Sequence, residues 1–95
     1  MHSYIITYDI CDPKRLRRVF KCLSSWGEHL QYSVFRCQLN AADLVRVRSA
    51  LTDIIHHSED QVLFLNIGLF DGRAKQAIEA LGKPYQMPER KAIII

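Results

Sequence analysis

The residues best suited to chemistry lie in the first twenty-one positions of the chain. Asp9 ends a strand-like run of seven residues that begins at Ser3. Five basic residues then follow within eight positions: Lys14, Arg15, Arg17, Arg18 and Lys21. A carboxylate at the end of a strand, followed by a cationic helix, suits a hydrated divalent metal ion and a phosphodiester. We therefore expect a metal- and phosphate-binding site at the end of the first strand.

Asp9 is the candidate catalytic residue and metal ligand. A carboxylate is costly to bury unless something pairs with it, and Mg²⁺ or Mn²⁺ is a suitable partner. One carboxylate per chain is a sparse ligand set, which Mg²⁺ tolerates because it keeps several waters, at the cost of slow turnover. The alternative is that Asp9 caps the following turn through backbone N–H groups.

The basic residues belong to a predicted first helix. Asp12 is a favourable N-cap, Pro13 is tolerated at the first helical position, and Gly27 is expected to terminate the helix. The apolar stripe of this helix consists of Leu16, Val19, Phe20 and Leu23. Lys14, Arg17, Arg18 and Lys21 fall on the opposite arc, with Arg15 at its edge. Because no acidic residue four positions away neutralises them, we favour contact with nucleic-acid phosphates over a merely solvated helix face.

The remaining pattern predicts a single α+β domain. A second strand is expected over residues 29–39, and a second helix from Asn40 to residues 56–58. A third strand follows over Gln61–Leu69. Residues 75–81 have helical propensity but span barely two turns, and the apolar residues 92–95 need a sheet edge. This order is that of a ferredoxin-like sandwich. Its second sheet face, rich in Tyr, Phe and Ile, needs cover that a second copy in a C2 dimer would provide.

Composition excludes several classes of protein. The chain has 95 residues, of which 48% are hydrophobic, and a net charge of +3, as expected of one folded domain. No apolar run reaches the ~18–20 residues that span a bilayer, and no signal peptide precedes the first strand, so a cytoplasmic protein is expected. Three cysteines without a C-x-x-C pair argue against a disulfide framework and a structural zinc site.

Separated motifs in this chain resemble the CRISPR-associated protein 2 family. In order, they are Tyr8-Asp9-Ile10, Asp-Pro-Lys-Arg-Leu-Arg-Arg-Val at 12–19, Trp26-Gly27, and Gln31-Tyr-Ser-Val-Phe35. Residues 60–65 fit the family's third strand, so that the resemblance covers roughly the first seventy residues.

The resemblance implies a ferredoxin-like homodimer in which the two copies of Asp9 face one another near the two-fold axis. It implies a magnesium-dependent nuclease acting on single-stranded RNA or duplex DNA, with Tyr8, Ser33 and Phe35 lining the site. The alternative for these three residues is core and dimer packing. It further implies that residues 75–81 form a strand. Residues 1–80 would then be the core, and residues 84–95 would contact the partner subunit.

The resemblance also implies a role without chemistry. The dimer would bridge two dimers of the CRISPR integrase and hold a DNA duplex along its basic surface during spacer acquisition. Asp9 would then be structural or vestigial. A third hypothesis is a toxin-like ribonuclease of related fold, of the virulence-associated protein D type.

Overall fold

The computed structural model describes residues 1–70 and 72–84. Its elements are β1 (His2–Asp9), α1 (Pro13–Ser24), β2 (Gly27–Gln31), β3 (Val34–Leu39), α2 (Ala41–Thr52), β4 (Gln61–Leu69) and a 3-10 helix (Arg73–Gln76). The strands form an antiparallel sheet in the order β2-β3-β1-β4, which makes β1 a central strand. The predicted ferredoxin-like α+β fold is confirmed. The predicted strand at residues 92–95 lies outside the described residues.

The region predicted as one strand over residues 29–39 is a hairpin, so that prediction is wrong. Gln31 pairs with Val34, and Tyr32 and Ser33 form the two-residue turn between β2 and β3. Such turns usually need positive φ, which Gly or Asn supplies. Neither Tyr32 nor Ser33 is Gly or Asn, and neither has a positive φ. The turn therefore lacks the usual sequence signature. With this hairpin, the strand and helix order of a ferredoxin-like unit, βαββαβ, is complete at Leu69, the last residue of β4.

The start of α1 is as predicted, but its end is not. The Asp12 carboxylate accepts a hydrogen bond from the Arg15 backbone N–H at 2.9 Å, and Pro13 opens the helix. The C-cap is Ser25, whereas Gly27 is the first residue of β2. A Cβ at Gly27 would collide with atoms of β3, the Arg36 carbonyl oxygen and the Cys37 sulfur. Gly27 is therefore required by close strand approach and not by a helix terminus.

The end of α2 and the segment after β4 also differ from the prediction. Asn40 caps α2, but the helix ends at Thr52 and not at residues 56–58, because residues 56–60 form a turn in which the Asp60 N–H donates to the His56 carbonyl. Residues 77–84 contain no strand, contrary to the expectation for 75–81. The 3-10 helix before them buries Ala74, whose carbonyl accepts a hydrogen bond from Arg36 Nη2 at 3.3 Å.

The core lies between the two helices and one face of the sheet. Its most buried side chains are Ile6, Phe35, Cys37 and Leu39 from the sheet and Val19, Leu23, Val47 and Leu51 from the helices. Of the predicted α1 stripe, Val19 and Leu23 are buried and Leu16 is half-buried. Phe20 remains 41% exposed and meets Phe35 edge-on, with ring centroids 5.4 Å apart.

The opposite face of the sheet carries the alternate residues of each strand. We define the open face by Ile5, Thr7, Asp9, Val34, Leu63 and Leu65. At the neighbouring Arg36, which is 5% exposed, the 3-10 helix already covers this face through the Ala74 carbonyl. In register, Ile5 lies opposite Leu65 and Thr7 lies opposite Leu63. Leu63 and Leu65 are 49% and 47% exposed, which is unusual for neighbouring leucines in the middle of a strand. This face therefore has apolar surface to bury.

Candidate nucleic-acid and metal site

Asp9 is the last residue of β1 and lies opposite Gln61 of β4. The alternation along β1 puts it on the open face with Ile5 and Thr7, and its side chain is exposed. Within the described part of the chain, no hydrogen bond or ion pair involves its carboxylate. The capping alternative is therefore not met, since Asp12 caps the helix that follows. Both Asp9 oxygens are available to an external ligand.

A single chain supplies few metal ligands here. Among residues 1–70 and 72–84, no group of three or more His, Cys, Asp or Glu side chains is arranged to hold a metal ion. The exposed Asp9 carboxylate nevertheless fits one position of a magnesium ion, which usually keeps several waters and takes one or two carboxylates. A second Asp9, from another copy of the chain, would make the ligand set that Mg²⁺ or Mn²⁺ commonly accepts.

Four of the predicted phosphate-binding residues form a stripe along α1. We define the basic stripe as Lys14, Arg17, Arg18 and Lys21. All four are exposed, and none forms an ion pair with a described residue. The rise of a helix makes the stripe about 10 Å long. It starts five residues after Asp9 and runs along the outer surface of the helical layer. The stripe thus offers uncompensated positive charge to a polyanion.

Arg15 is occupied within the chain and does not belong to the basic stripe. Its Nε lies 2.7 Å from Asp60 Oδ2, and its Nη2 lies 3.2 Å from both Asp60 Oδ1 and Glu59 Oε1. The hydrogen bond to Asp60 is the main reason that the pKa of Arg15 is raised. Two carboxylates already balance this guanidinium. The predicted phosphate contact is therefore assigned to the other four basic residues only.

Asp60 is the functional candidate that the sequence reasoning missed. Its side chain is fully buried, and it also accepts backbone hydrogen bonds from Cys11 at 2.9 Å and His56 at 2.8 Å. These donors, Arg15 first, hold the pKa of the Asp60 carboxyl well below its usual range. A signal was present in the sequence. An acidic residue immediately before the most hydrophobic strand is costly to bury and requires donors from elsewhere in the chain.

Tyr8 and Phe35 lie in the core, on the sheet face away from Asp9. Their exposed fractions are 6% and 0%, and their rings stack with centroids 6.3 Å apart. Burial, with a smaller effect of Tyr32, raises the pKa of Tyr8. The packing alternative therefore accounts for both rings, and the chain does not present them as lining of a site at Asp9. Ser33 is half-buried in the hairpin turn, where its carbonyl accepts a hydrogen bond from the Tyr8 N–H at 3.1 Å.

The three cysteines are free thiols. Cys37 is buried, and burial raises the pKa of its thiol to about 12, which makes it unreactive. Cys22 is half-buried. Cys11 is exposed and donates its S–H to the Glu59 carbonyl at 2.9 Å, which joins the loop after β1 to the turn before β4.

Among the described residues, no helix has the length and apolar character needed to cross a lipid bilayer.

Comparison with known proteins identifies relatives along the whole chain. The family described as CRISPR associated protein Cas2 matches residues 1–69. The CRISPR-associated endoribonuclease Cas2 1 of Rhodospirillum rubrum is 40% identical over 94 residues, covering 99% of this chain and 91% of that protein. The CRISPR-associated endoribonuclease Cas2 of Geobacter sulfurreducens is 36% identical over 94 residues, which cover 99% of this chain and 98% of that protein. The crystal structure of Streptococcus pyogenes Cas2 at pH 6.5 is similar, with a TM-score of 0.72, 33% identity, and 84% and 99% covered.

Proposed function

The chain belongs to the CRISPR associated protein Cas2 family, and on that premise we propose that it is a CRISPR adaptation subunit with a nuclease site at Asp9. As a homodimer it binds duplex DNA along the basic stripe and bridges dimers of the CRISPR integrase during spacer acquisition. With Mg²⁺ or Mn²⁺ it hydrolyses phosphodiester bonds of single-stranded RNA or duplex DNA. The family assignment is the reason that we do not propose the alternative toxin of the virulence-associated protein D type.

The observation that carries the proposal is the exposed Asp9 carboxylate, which no described residue engages. An exposed carboxylate is satisfied by water, so its position on the sheet is the informative feature. Asp9 shares the open face with Leu63 and Leu65, which remain about half exposed. Packing the open faces of two copies about a two-fold axis covers the leucines. The same packing brings the two Asp9 carboxylates toward one another.

The two Asp9 side chains would hold the metal ion, because facing carboxylates repel and a divalent cation relieves that repulsion. When bound, such an ion polarises a phosphate oxygen and lowers the pKa of its bound water. Asp9 then orients the hydrated ion toward the scissile phosphate. The basic stripe neutralises neighbouring phosphates and fixes the position of the backbone without reading its sequence. A stripe of about 10 Å matches roughly three phosphates of one strand at 3.4 Å each.

Cleavage and binding are measured side by side on labelled duplex DNA and single-stranded RNA. The proteins are wild type, Asp9→Asn and the double variant Arg17→Ala/Arg18→Ala. Arg46→Ala/Arg48→Ala on α2 is the matched control, since Arg46 pairs with Asp43 and Arg48 lies over the Phe64 ring. We expect Asp9→Asn to lose cleavage in Mg²⁺ and to retain duplex binding. For Arg17→Ala/Arg18→Ala, we expect the negative slope of log affinity against log salt to become shallower by about 0.9 for each phosphate contact removed.

Each outcome has a distinct meaning. Equal cleavage by wild type and Asp9→Asn contradicts a catalytic role for Asp9. Absence of cleavage in every protein, with salt-sensitive duplex binding retained, leaves the adaptation scaffold without the nuclease. An unchanged salt slope in Arg17→Ala/Arg18→Ala contradicts the assignment of the basic stripe.

A further inference from the structure

We propose that Asp60 is a positioning residue for Asp9, acting through the loop that joins β1 to α1. This inference rests on the proposed function, because it concerns the metal-binding carboxylate. Asp9 lies opposite Gln61 in the sheet, so Asp60 comes next to the residues that follow Asp9. The Asp60 carboxylate contacts Cys11, two residues beyond Asp9, through the Cys11 backbone N–H.

The Asp60 carboxylate joins three separate segments of the chain. Oδ1 accepts from the Cys11 N–H at 2.9 Å and from Arg15 Nη2 at 3.2 Å. Oδ2 accepts from Arg15 Nε at 2.7 Å and from the His56 N–H at 2.8 Å. The segments are the β1–α1 loop, the first turn of α1 and the turn after α2. Four donors match the acceptor capacity of an ionised carboxylate, so these oxygens are fully satisfied.

The β1–α1 loop is held at two further points. The Cys11 thiol donates to the Glu59 carbonyl at 2.9 Å. The Asp12 carboxylate accepts from the Arg15 N–H at 2.9 Å, while the Arg15 guanidinium is itself bound to Asp60. Loops are ordinarily more mobile than the elements that they connect. This three-residue loop is instead fixed by one charge-assisted hydrogen bond, from the Cys11 N–H to the fully buried Asp60 side chain, and by the two further contacts.

The position of the Asp9 carboxylate depends on this arrangement. Because no described side chain or N–H group holds its oxygens, the backbone on either side must orient it. On one side that backbone is β1, and on the other it is the loop that Asp60 fixes. Groups hydrogen-bonded directly to metal ligands change metal affinity 10–100-fold when they are removed. Asp60 is one step further away, because it contacts the Cys11 N–H and not Asp9 itself. A site with one carboxylate per chain is especially dependent on such positioning.

The test measures binding of Mn²⁺ alone to the full chain by electron paramagnetic resonance, without substrate. Wild type is compared with Asp60→Asn, Asp9→Asn and the matched control Asp43→Asn, whose carboxylate forms an ion pair with Arg46 within α2. We expect Asp60→Asn to weaken Mn²⁺ binding about 10-fold at an unchanged number of sites. Asp43→Asn should bind as wild type does, and duplex binding should be the same in all four proteins, because none of them changes the basic stripe.

The number of Mn²⁺ sites per chain distinguishes a positioning role of Asp60 from a purely structural one. If Asp60 only stabilises the fold, Asp60→Asn loses sites in proportion to unfolded protein and keeps the wild-type affinity, which overturns the proposal. If Asp9→Asn binds Mn²⁺ as wild type does, the metal site of the proposed function fails, and this inference fails with it. Should Asp60→Asn not fold, Arg15→Lys keeps the charge of α1 but loses the two-nitrogen geometry. Unchanged Mn²⁺ affinity in Arg15→Lys would then overturn the proposal.

Discussion

Asp9 and Asp60 lie at the same end of the sheet, one after β1 and the other before β4. Asp9 is exposed and has no hydrogen bond or ion pair with a described residue. Asp60 is fully buried and accepts four hydrogen bonds from Cys11, Arg15 and His56. Two aspartates at strand ends thus lie in opposite environments. A fold that satisfies one carboxylate completely and leaves its neighbour free separates the residue that stabilises from the residue that can bind.

The neighbouring arginines of α1 show the same contrast. Arg15 is committed to Asp60 and Glu59, whereas Arg17 and Arg18 are exposed without an ion pair among the described residues. Residue type and spacing are almost identical for the three. What distinguishes them is the presence of a carboxylate in another part of the chain. The occupied donor and acceptor atoms therefore distinguish Arg15 from its neighbours, which the cluster of charges alone does not.

The largest expected effect concerns stability. Asp60→Ala removes the acceptor of Arg15 Nε and of two backbone N–H groups and leaves Arg15 its ion pair with Glu59. We expect the melting temperature to fall by on the order of 10 °C. Asp9→Ala removes no hydrogen bond within the described residues and should change the free energy of unfolding by less than about 0.5 kcal/mol. Thermal unfolding followed by circular dichroism measures both. Similar losses in the two variants would remove the distinction between these aspartates.

A second, smaller effect appears in acid. The folded-state pKa of Asp60 is lower than its unfolded-state value, so its stabilising contribution is complete above about pH 4, the ordinary range of a carboxyl group. The contribution is lost as the pH falls below that value toward the folded-state pKa. Urea unfolding between pH 2 and 6 should therefore show a steeper loss of stability in wild type than in Asp60→Asn. Equally steep profiles in wild type and Asp60→Asn would contradict the assignment of this acid-sensitive stability to Asp60.

The smallest expected change in the free energy of unfolding concerns the open face, which Asp9 shares with Leu63 and Leu65. Leu63→Lys and Leu65→Lys place charge on side chains that are already about half exposed, so each should change the stability of one chain by less than about 1 kcal/mol. Each should nevertheless abolish dimerisation, because it puts charge at the centre of the proposed interface. Sedimentation analysis over a range of concentrations measures this. Val45→Lys on α2, where Val45 is 66% exposed, is the control. A wild type that stays monomeric would show that the open face is not an interface.

The parts of the fold that could be predicted from the sequence are those with local signals. The Asp12–Pro13 start of α1, the Asn40 cap of α2 and the limits of Gln61–Leu69 all follow from residues next to one another in the chain. The β2–β3 turn could not be predicted, because neither of its residues, Tyr32 and Ser33, is glycine or asparagine.

The candidate site was predictable only in part. Asp9 and the basic stripe follow from the sequence near the first helix. The pairing of Arg15 with Asp60 spans 45 residues, and no local pattern predicts such a contact. For Tyr8 the information was present, because successive residues of a strand point to opposite faces. This alternation places Tyr8 and Asp9 on opposite faces of β1, whereas the family resemblance implies that both line the site.

The sheet order has a consequence for synthesis of the protein on the ribosome. β1 is made first, yet it occupies an inner position, and its second neighbour ends at Leu69, about sixty residues later. At roughly 5–20 residues per second, β1 must wait about 3–12 s for β4. During that interval one edge of an apolar strand is unpaired, with only the β2–β3 hairpin available on its other side. The arrival of β4 also brings Asp60 to Arg15. The last strand pairing among the described residues therefore completes the four-stranded sheet and fixes the loop after Asp9 in one step.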